Sequence, residues 1–173
     1  SSMVVKSSRK DCPCRMTSKE PCLPLDVCMV IGGGDFLLEH LPNRSRRISQ
    51  EEALDLLEAE HGRGHVHTAY FKDAVNDSFY AICNCCSCCC GGIEAMQRHG
   101  IPMVASSGYV ARVDSSLCSA CGECVEACPF DAVQMEEDRA VVMWGRCMGC
   151  GVCESRCTTE AISLALDAEK GLP

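Results

Sequence analysis

Two cysteine runs near the carboxyl end constrain this chain more than any other feature. Cys118, Cys121, Cys124 and Cys128 are followed, 29 residues on, by Cys147, Cys150, Cys153 and Cys157, and each run leads into a similar dipeptide, Ala132-Val133 or Ala161-Ile162. A repeat this close implies two structurally equivalent halves. Thiolates at i, i+3 and i+6 can wrap one turn of loop around three corners of an iron-sulfur cubane. The fourth thiolate of each run then falls on a short helix that points away from its own loop.

Cysteine makes up 18 of the 173 residues, a density that indicates either a disulfide scaffold or metal sites. Cysteines two or three positions apart seldom reach disulfide geometry, which favours metal. The chain opens with no basic segment followed by an apolar one, so a reducing, cytoplasmic compartment is expected. No apolar run approaches the roughly 18 residues needed to cross a bilayer, and no membrane insertion is expected. The net charge of -8 is concentrated downstream, where residues 108–173 carry five Lys and Arg against eleven Asp and Glu. Such an acidic segment argues against nucleic acid as a partner. It suits a redox protein partner with a basic docking patch, because complementary charge steers encounter.

The spacing of the two runs, with Pro129 directly after Cys128, resembles that of the bacterial-type 2x(4Fe-4S) ferredoxin family, in which the fourth cysteine of each run ligates the partner cluster. The resemblance covers residues 108–168. It implies one cluster on Cys118, Cys121, Cys124 and Cys157, and another on Cys147, Cys150, Cys153 and Cys128. It also implies a pseudo-two-fold βαββαβ module. In that module Val110–Val113 pairs with Ile162–Leu166, and Val133–Met135 pairs with Ala140–Val142 around Glu137-Asp138. Thr158 departs from the family pattern, which usually has a second proline there. Zinc also takes four thiolates, but its motifs usually come as separated Cys-x-x-Cys pairs.

The expected fold class is α+β, with a small helical and hairpin cysteine-rich domain over 1–107 followed by the ferredoxin domain over 108–173. Residues 1–34 read as irregular backbone. Asp35 begins a short helix through Leu41, and Ser49 with Glu52 forms a capping box ahead of Ala53, Leu56, Leu57 and Glu60 at helical spacing. Segments 66–71 and 78–83 read as a hairpin turning through Asn76-Asp77, and a further helix spans 93–99. Ten cysteines lie in this half: Cys12, Cys14, Cys22, Cys28, Cys83, Cys85, Cys86, Cys88, Cys89 and Cys90. Six thiols in the eight positions from 83 to 90 cannot all be core residues, and exposed they would oxidise. A subset is therefore expected to bind one or two further 4Fe-4S clusters, or zinc. The Cys-Pro-Cys-Arg start, the Ser-Gln-Glu-Glu-Ala-Leu-Asp-Leu-Leu helix and the Ile-Cys-Asn-Cys-Cys-Ser-Cys-Cys-Cys segment resemble multi-cluster ferredoxin-like proteins of anaerobic microbes.

Four lesser features complete the reading. His65 and His67 alternate and read as a surface pair. Gly32-Gly33-Gly34 reads as a turn before a helix, since Asp35 would repel a phosphate. Arg44, Arg46 and Arg47 read as a solvated basic loop, and Trp144 is expected to pack over the Cys147 cluster. With no catalytic side chains singled out, the expected function is one-electron transfer through the clusters, as a carrier or as a subunit of an anaerobic redox complex. The alternatives are an iron-sulfur oxidoreductase with its active site at 83–90, and a redox sensor.

Overall fold

The computed structural model describes residues 7–31, 34–71 and 79–171. The expected turn at Asn76-Asp77 and the glycines at 32 and 33 lie outside the described residues. The chain is mixed α and β and divides into two compact units, Ser1–Gly91 and Gly92–Pro173, a break upstream of the boundary expected at 107/108.

The first unit is built on a five-stranded antiparallel sheet in the order β3-β1-β2-β5-β4. Its strands are β1 (Ser7–Lys10), β2 (Cys28–Ile31), β3 (Ser45–Ile48), β4 (Val66–Phe71) and β5 (Phe79–Cys85), with helices α1 (Pro13–Thr17), α2 (Gly34–His40) and α3 (Gln50–Gly62) between them. The expected hairpin is present: β4 pairs with β5 from Val66↔Cys85 through Ala69↔Ile82. Where irregular backbone was expected over 1–34, the described residues 7–31 hold β1, α1 and β2, and β2 sits at the centre of the sheet. Arg46 and Arg47 are on β3 and not in a loop. Arg46 reaches Glu52 at 2.7 Å, and Arg47 pairs with Asp35.

Helix α3 has the capping box its sequence indicates, with Glu52 N–H donating to Ser49 Oγ at 3.1 Å and Ser49 N–H to Glu52 Oε2 at 2.9 Å. Its spacing then sets Leu56 into a core with Val27, Cys28, Met29, Ile48 and Cys12, with Ala53, Leu57 and Ile82 packed against it. Burying a side chain of this size stabilises by about 1.5–3 kcal/mol. One helical turn beyond Leu56, Glu60 is fully buried and meets Arg15 of α1, also fully buried, at 2.8 Å. Arg63 and His65 also contact this carboxylate, at 2.8 and 2.6 Å. Arg15 donates in addition to the carbonyls of Asn84, at 3.1 Å, and Pro24. Helix α1, the loop before β2, helix α3 and the end of β5 thus converge on one guanidinium.

The second unit holds α4 (Gly91–His99, counted from its second residue), then β6 (Tyr109–Val113), α5 (Glu123–Ala127), β7 (Val133–Glu136), β8 (Arg139–Val142), α6 (Val152–Arg156) and β9 (Ile162–Leu166). Strand β6 pairs antiparallel with β9 from Val113↔Ile162 to Tyr109↔Leu166, and β7 with β8 from Val133↔Val142 to Glu136↔Arg139. Val110, Ala111, Ala132, Val133, Ala140, Val152, Ala161 and Ile162 form its buried apolar lining. The side-chain amide of Gln97 on α4 donates to the Pro129 carbonyl at 3.0 Å. Among the described residues no helix is long and apolar enough to cross a membrane.

The Arg15–Glu60 pair gives a stability test. Burial raises the Glu60 pKa, but the hydrogen bonds from Arg15 and His65 outweigh it and hold the carboxyl below its ordinary range. Its contribution is therefore present above the unfolded carboxylate pKa and lost as pH falls through the folded value. Glu60→Gln leaves a buried charge unpaired and is expected to cost about 3–5 kcal/mol in anaerobic urea unfolding, with a weaker acid-side loss of stability than wild type. Arg46→Ala removes a pair that is about half exposed and is expected to cost less than about 1 kcal/mol.

Candidate metal centres

The two downstream cysteine runs adopt matching backbone conformations. Cys118 N–H donates to Asp114 O and Cys147 N–H to Met143 O, each at 3.1 Å, so both runs start from a turn. Left-handed residues then reverse the loops at equivalent positions: Ala120 (φ 57°) and Gly149 (64°), Gly122 (81°) and Gly151 (80°), and Asp131 (49°) and Glu160 (54°). Gly122 and Gly151 cap α5 and α6, while Cys128 and Cys157 end those helices in extended backbone at φ −71° and −80°.

This geometry forms two small pockets, one beside each run. Cys118, Cys121, Cys124 and Cys157 line the first, together with Met135, Ala140, Ala161 and Ile162. Cys128, Cys147, Cys150 and Cys153 line the second, with Ala111, Phe130, Val133 and Leu164 around them. In each case three sulfurs come from one run and one from the other. Ala132 N–H donates to Cys128 Sγ at 3.3 Å, and the Thr159 hydroxyl lies 3.6 Å from Cys157 Sγ.

Burial, together with the neighbouring thiols, pushes Cys150 up to about 11 and Cys153 up to about 12. Burial also raises Cys157, but the Thr159 hydroxyl and the backbone N–H groups of Ala161, Thr159 and Ile162 outweigh it and draw that thiol down. Four thiols around one apolar cavity ionise together only when a cation neutralises them, and binding that cation expels their protons. Sulfur donors in an apolar cavity, with N–H groups directed at the sulfur, suit an iron-sulfur cubane.

The family of 4Fe-4S binding domains matches the chain twice, over residues 111–134 and 140–163. Residues 111–163 carry two 4Fe-4S binding motifs. Ferredoxin-2 of Desulfomicrobium norvegicum is 44% identical over 34 residues, which are 20% of this chain and 58% of that ferredoxin. The chain therefore spans little more than half the length of the curated relative it matches. Iron-sulfur electron transfer is the chemistry these matches support, and they leave the upstream cysteines outside their range.

Upstream, the sheet sorts ten cysteines into two groups. On β5 the pleat sets Cys83 and Cys85 on one face and Asn84 on the other, where Asn84 Nδ2 donates to Val27 O at 2.7 Å. The β2–β5 register, Met29↔Ile82, continues to bring Cys28 opposite Cys83. Cys28 hydrogen-bonds both Cys12 and Cys83, and Cys85 bonds Cys83 and Cys90. Cys14 lies within electrostatic reach of Cys12, Cys83 and Cys90, which completes a group of six. In this chain of thiols, hydrogen bonds from Cys28 and Cys85 hold Cys83 down to about 3, while Cys28 and Cys85 are themselves pushed up. The remaining four, Cys22, Cys86, Cys88 and Cys89, have sulfurs all within 4.8 Å of one another.

Two lesser expectations change. His65 and His67 are not a free surface pair, because His65 Nδ1 meets Glu60 and His67 Nδ1 lies 2.6 Å from Asn84 Oδ1. Trp144 does not line the Cys147 cavity. It is 43% exposed, its Nε1 donates to Asp167 Oδ2 at 2.9 Å, and Lys170 Nζ sits 4.2 Å over its ring. The buried Arg15, which anchors the cysteine-bearing segments, was missed because one arginine in a Cys-Pro-Cys-Arg string carries no burial signal.

Gly149 offers a local test. A Cβ there would lie 2.3 Å from both the Tyr109 carbonyl oxygen and Ser107 Oγ, so side chain and backbone both exclude it. Its repeat partner Ala120 already carries a Cβ at φ 57°. Gly149→Ala is expected to cost more than the roughly 1–2 kcal/mol of left-handed strain and to lower iron content. Ala120→Gly is expected to change stability by less than about 1 kcal/mol. Anaerobic urea unfolding and iron assay of both variants check the contrast.

Proposed function

We propose that the chain is an electron-transfer protein whose 108–173 segment is a pseudo-two-fold dicluster ferredoxin domain. One 4Fe-4S cluster is held by Cys118, Cys121, Cys124 and Cys157, and the other by Cys147, Cys150, Cys153 and Cys128. The observation that carries this reading is the crossed lining of two small pockets, three sulfurs from one run and the fourth from the other. A bound 4Fe-4S cluster supplies reversible one-electron chemistry.

The protein's own residues hold and insulate those groups. Ala140, Ala161, Ile162, Ala132 and Val133 exclude water around the sulfurs, and dielectric and solvent access tune potential. The Ala132 N–H at Cys128 stabilises the charge on that sulfur. Crossed ligation also staples the ends of α5 and α6 to each other's loops, so neither half is complete alone.

In this reading at least one further 4Fe-4S cluster binds among the six grouped upstream thiols, Cys12, Cys14, Cys28, Cys83, Cys85 and Cys90. The chain then works as a carrier or a subunit of an anaerobic redox complex in a reducing, cytoplasmic compartment. The acidic face of the ferredoxin domain docks on a basic patch of a redox partner. Cys128→Ala tests, on anaerobically isolated protein, whether Cys128 holds a 4Fe-4S cluster. Iron and acid-labile sulfide are expected to fall together by about four each per chain, with loss of one reduced-cluster EPR signal. Loss of zinc with sulfide unchanged would contradict it.

A further inference from the structure

We propose that Cys22, Cys86, Cys88 and Cys89 form a mononuclear tetrathiolate site for one thiophilic divalent ion, zinc or iron(II), distinct from every iron-sulfur cluster of the chain. Cys22 and Cys86 Sγ are 3.1 Å apart, Cys88 and Cys89 are 3.5 Å apart, and Cys22 and Cys89 are 3.8 Å apart. A tetrahedral ion with bonds of about 2.3 Å spaces its sulfurs about 3.8 Å apart, close to these values. A disulfide requires about 2.05 Å, so none of these contacts is one.

The ferredoxin motifs provide an internal comparison. Their eight cysteines line two small pockets. Among the described residues it is Cys22, Cys86, Cys88 and Cys89 whose sulfurs close to within 4.8 Å of one another. The fold holds the pocket-lining sulfurs farther apart than this and draws these four together around a point. A single ion fits the second arrangement, and a cubane fits the first.

Arg15 supplies a second observation. It is fully buried and its charge acts on Cys22 and Cys86. Its terminal nitrogens are bonded to Glu60, Asn84 and Pro24, yet its buried Nε has no hydrogen-bond partner. Four thiolates on a divalent ion leave a net charge of about −2, which a buried guanidinium within electrostatic reach of two of the sulfurs offsets. The chain path fits as well. Cys86 O accepts from Cys90 N at 3.1 Å, so residues 86–90 form a turn that presents three thiols together. Cys22 arrives from the loop after α1, and the ion would clamp that loop to the end of the β5 segment. Cys88 is exposed, so the ion has a path in.

Two measurements on the full, anaerobically isolated chain test this. In Cys22→Ala/Cys88→Ala, about one equivalent of metal is expected to be lost while acid-labile sulfide stays unchanged. Loss of zinc identifies the ion as zinc, and loss of one iron without sulfide identifies it as iron(II); either supports the site. Loss of iron and sulfide in equal amounts would assign these cysteines to a cluster and overturn the proposal, as would no loss of metal. If the variant does not fold, the wild-type chain decides. X-ray absorption showing zinc bound by four sulfurs at about 2.3 Å, or iron in excess of sulfide by about one per chain, supports the site. Nitrogen or oxygen ligands on zinc, or iron equal to sulfide with no zinc, overturns it. Because the readout is metal unaccompanied by sulfide, its failure is separable from failure of the dicluster reading, which removes both together.

Discussion

Thiolate coordination is the constraint on which the rest of this fold depends. The second unit has short helices, two two-stranded ladders and a thin apolar lining, with the eight sulfurs of its two cysteine runs between them. Buried thiols without a cation stay protonated and contribute little beyond small apolar volume. In the proposed dicluster reading, the same sulfurs would anchor the loops between β6 and β9. Metal binding free energy would then serve as folding free energy, so a small core would suffice.

The two units meet the problem of dense cysteine differently. Downstream, a sequence repeat places eight thiols by local turns, and the left-handed residues at 120, 122, 149 and 151 do most of the steering. Gly149 is glycine for a packing reason absent at Ala120, since the backbone near Tyr109 closes over it. Upstream there is no repeat. The five-stranded sheet carries Cys28, Cys83 and Cys85, and long-range pairing between β2 and β5 sets Cys28 beside Cys83, while the other seven lie on α1, its N-cap and the adjoining loops. The buried Arg15–Glu60 pair sits where that sheet, α1 and α3 converge, so its integrity sets the position of the thiol-bearing loops.

Much of this was legible in the amino-acid order, and the pattern of successes has a physical basis. The capping box at Ser49, the 66–85 hairpin and the downstream ladders depend on residues near each other or on a strict repeat. Strands β1, β2 and β3 were not legible, being four residues each with no clean alternation, and β2 follows a proline-rich loop. The partition of the ten upstream cysteines was equally hidden. Cys86 and Cys85 are neighbours in sequence yet belong to different groups, because the strand ends between them and the turn begins.

Diffraction from anaerobically grown crystals at wavelengths around the iron edge bears most directly on the two-cluster account. It should locate two four-iron sites in the carboxyl-terminal domain, one bonded to Cys118, Cys121, Cys124 and Cys157 and the other to Cys147, Cys150, Cys153 and Cys128. Disulfides among those eight sulfurs, single tetrahedral ions in their place, or clusters bonded within each run alone would contradict it.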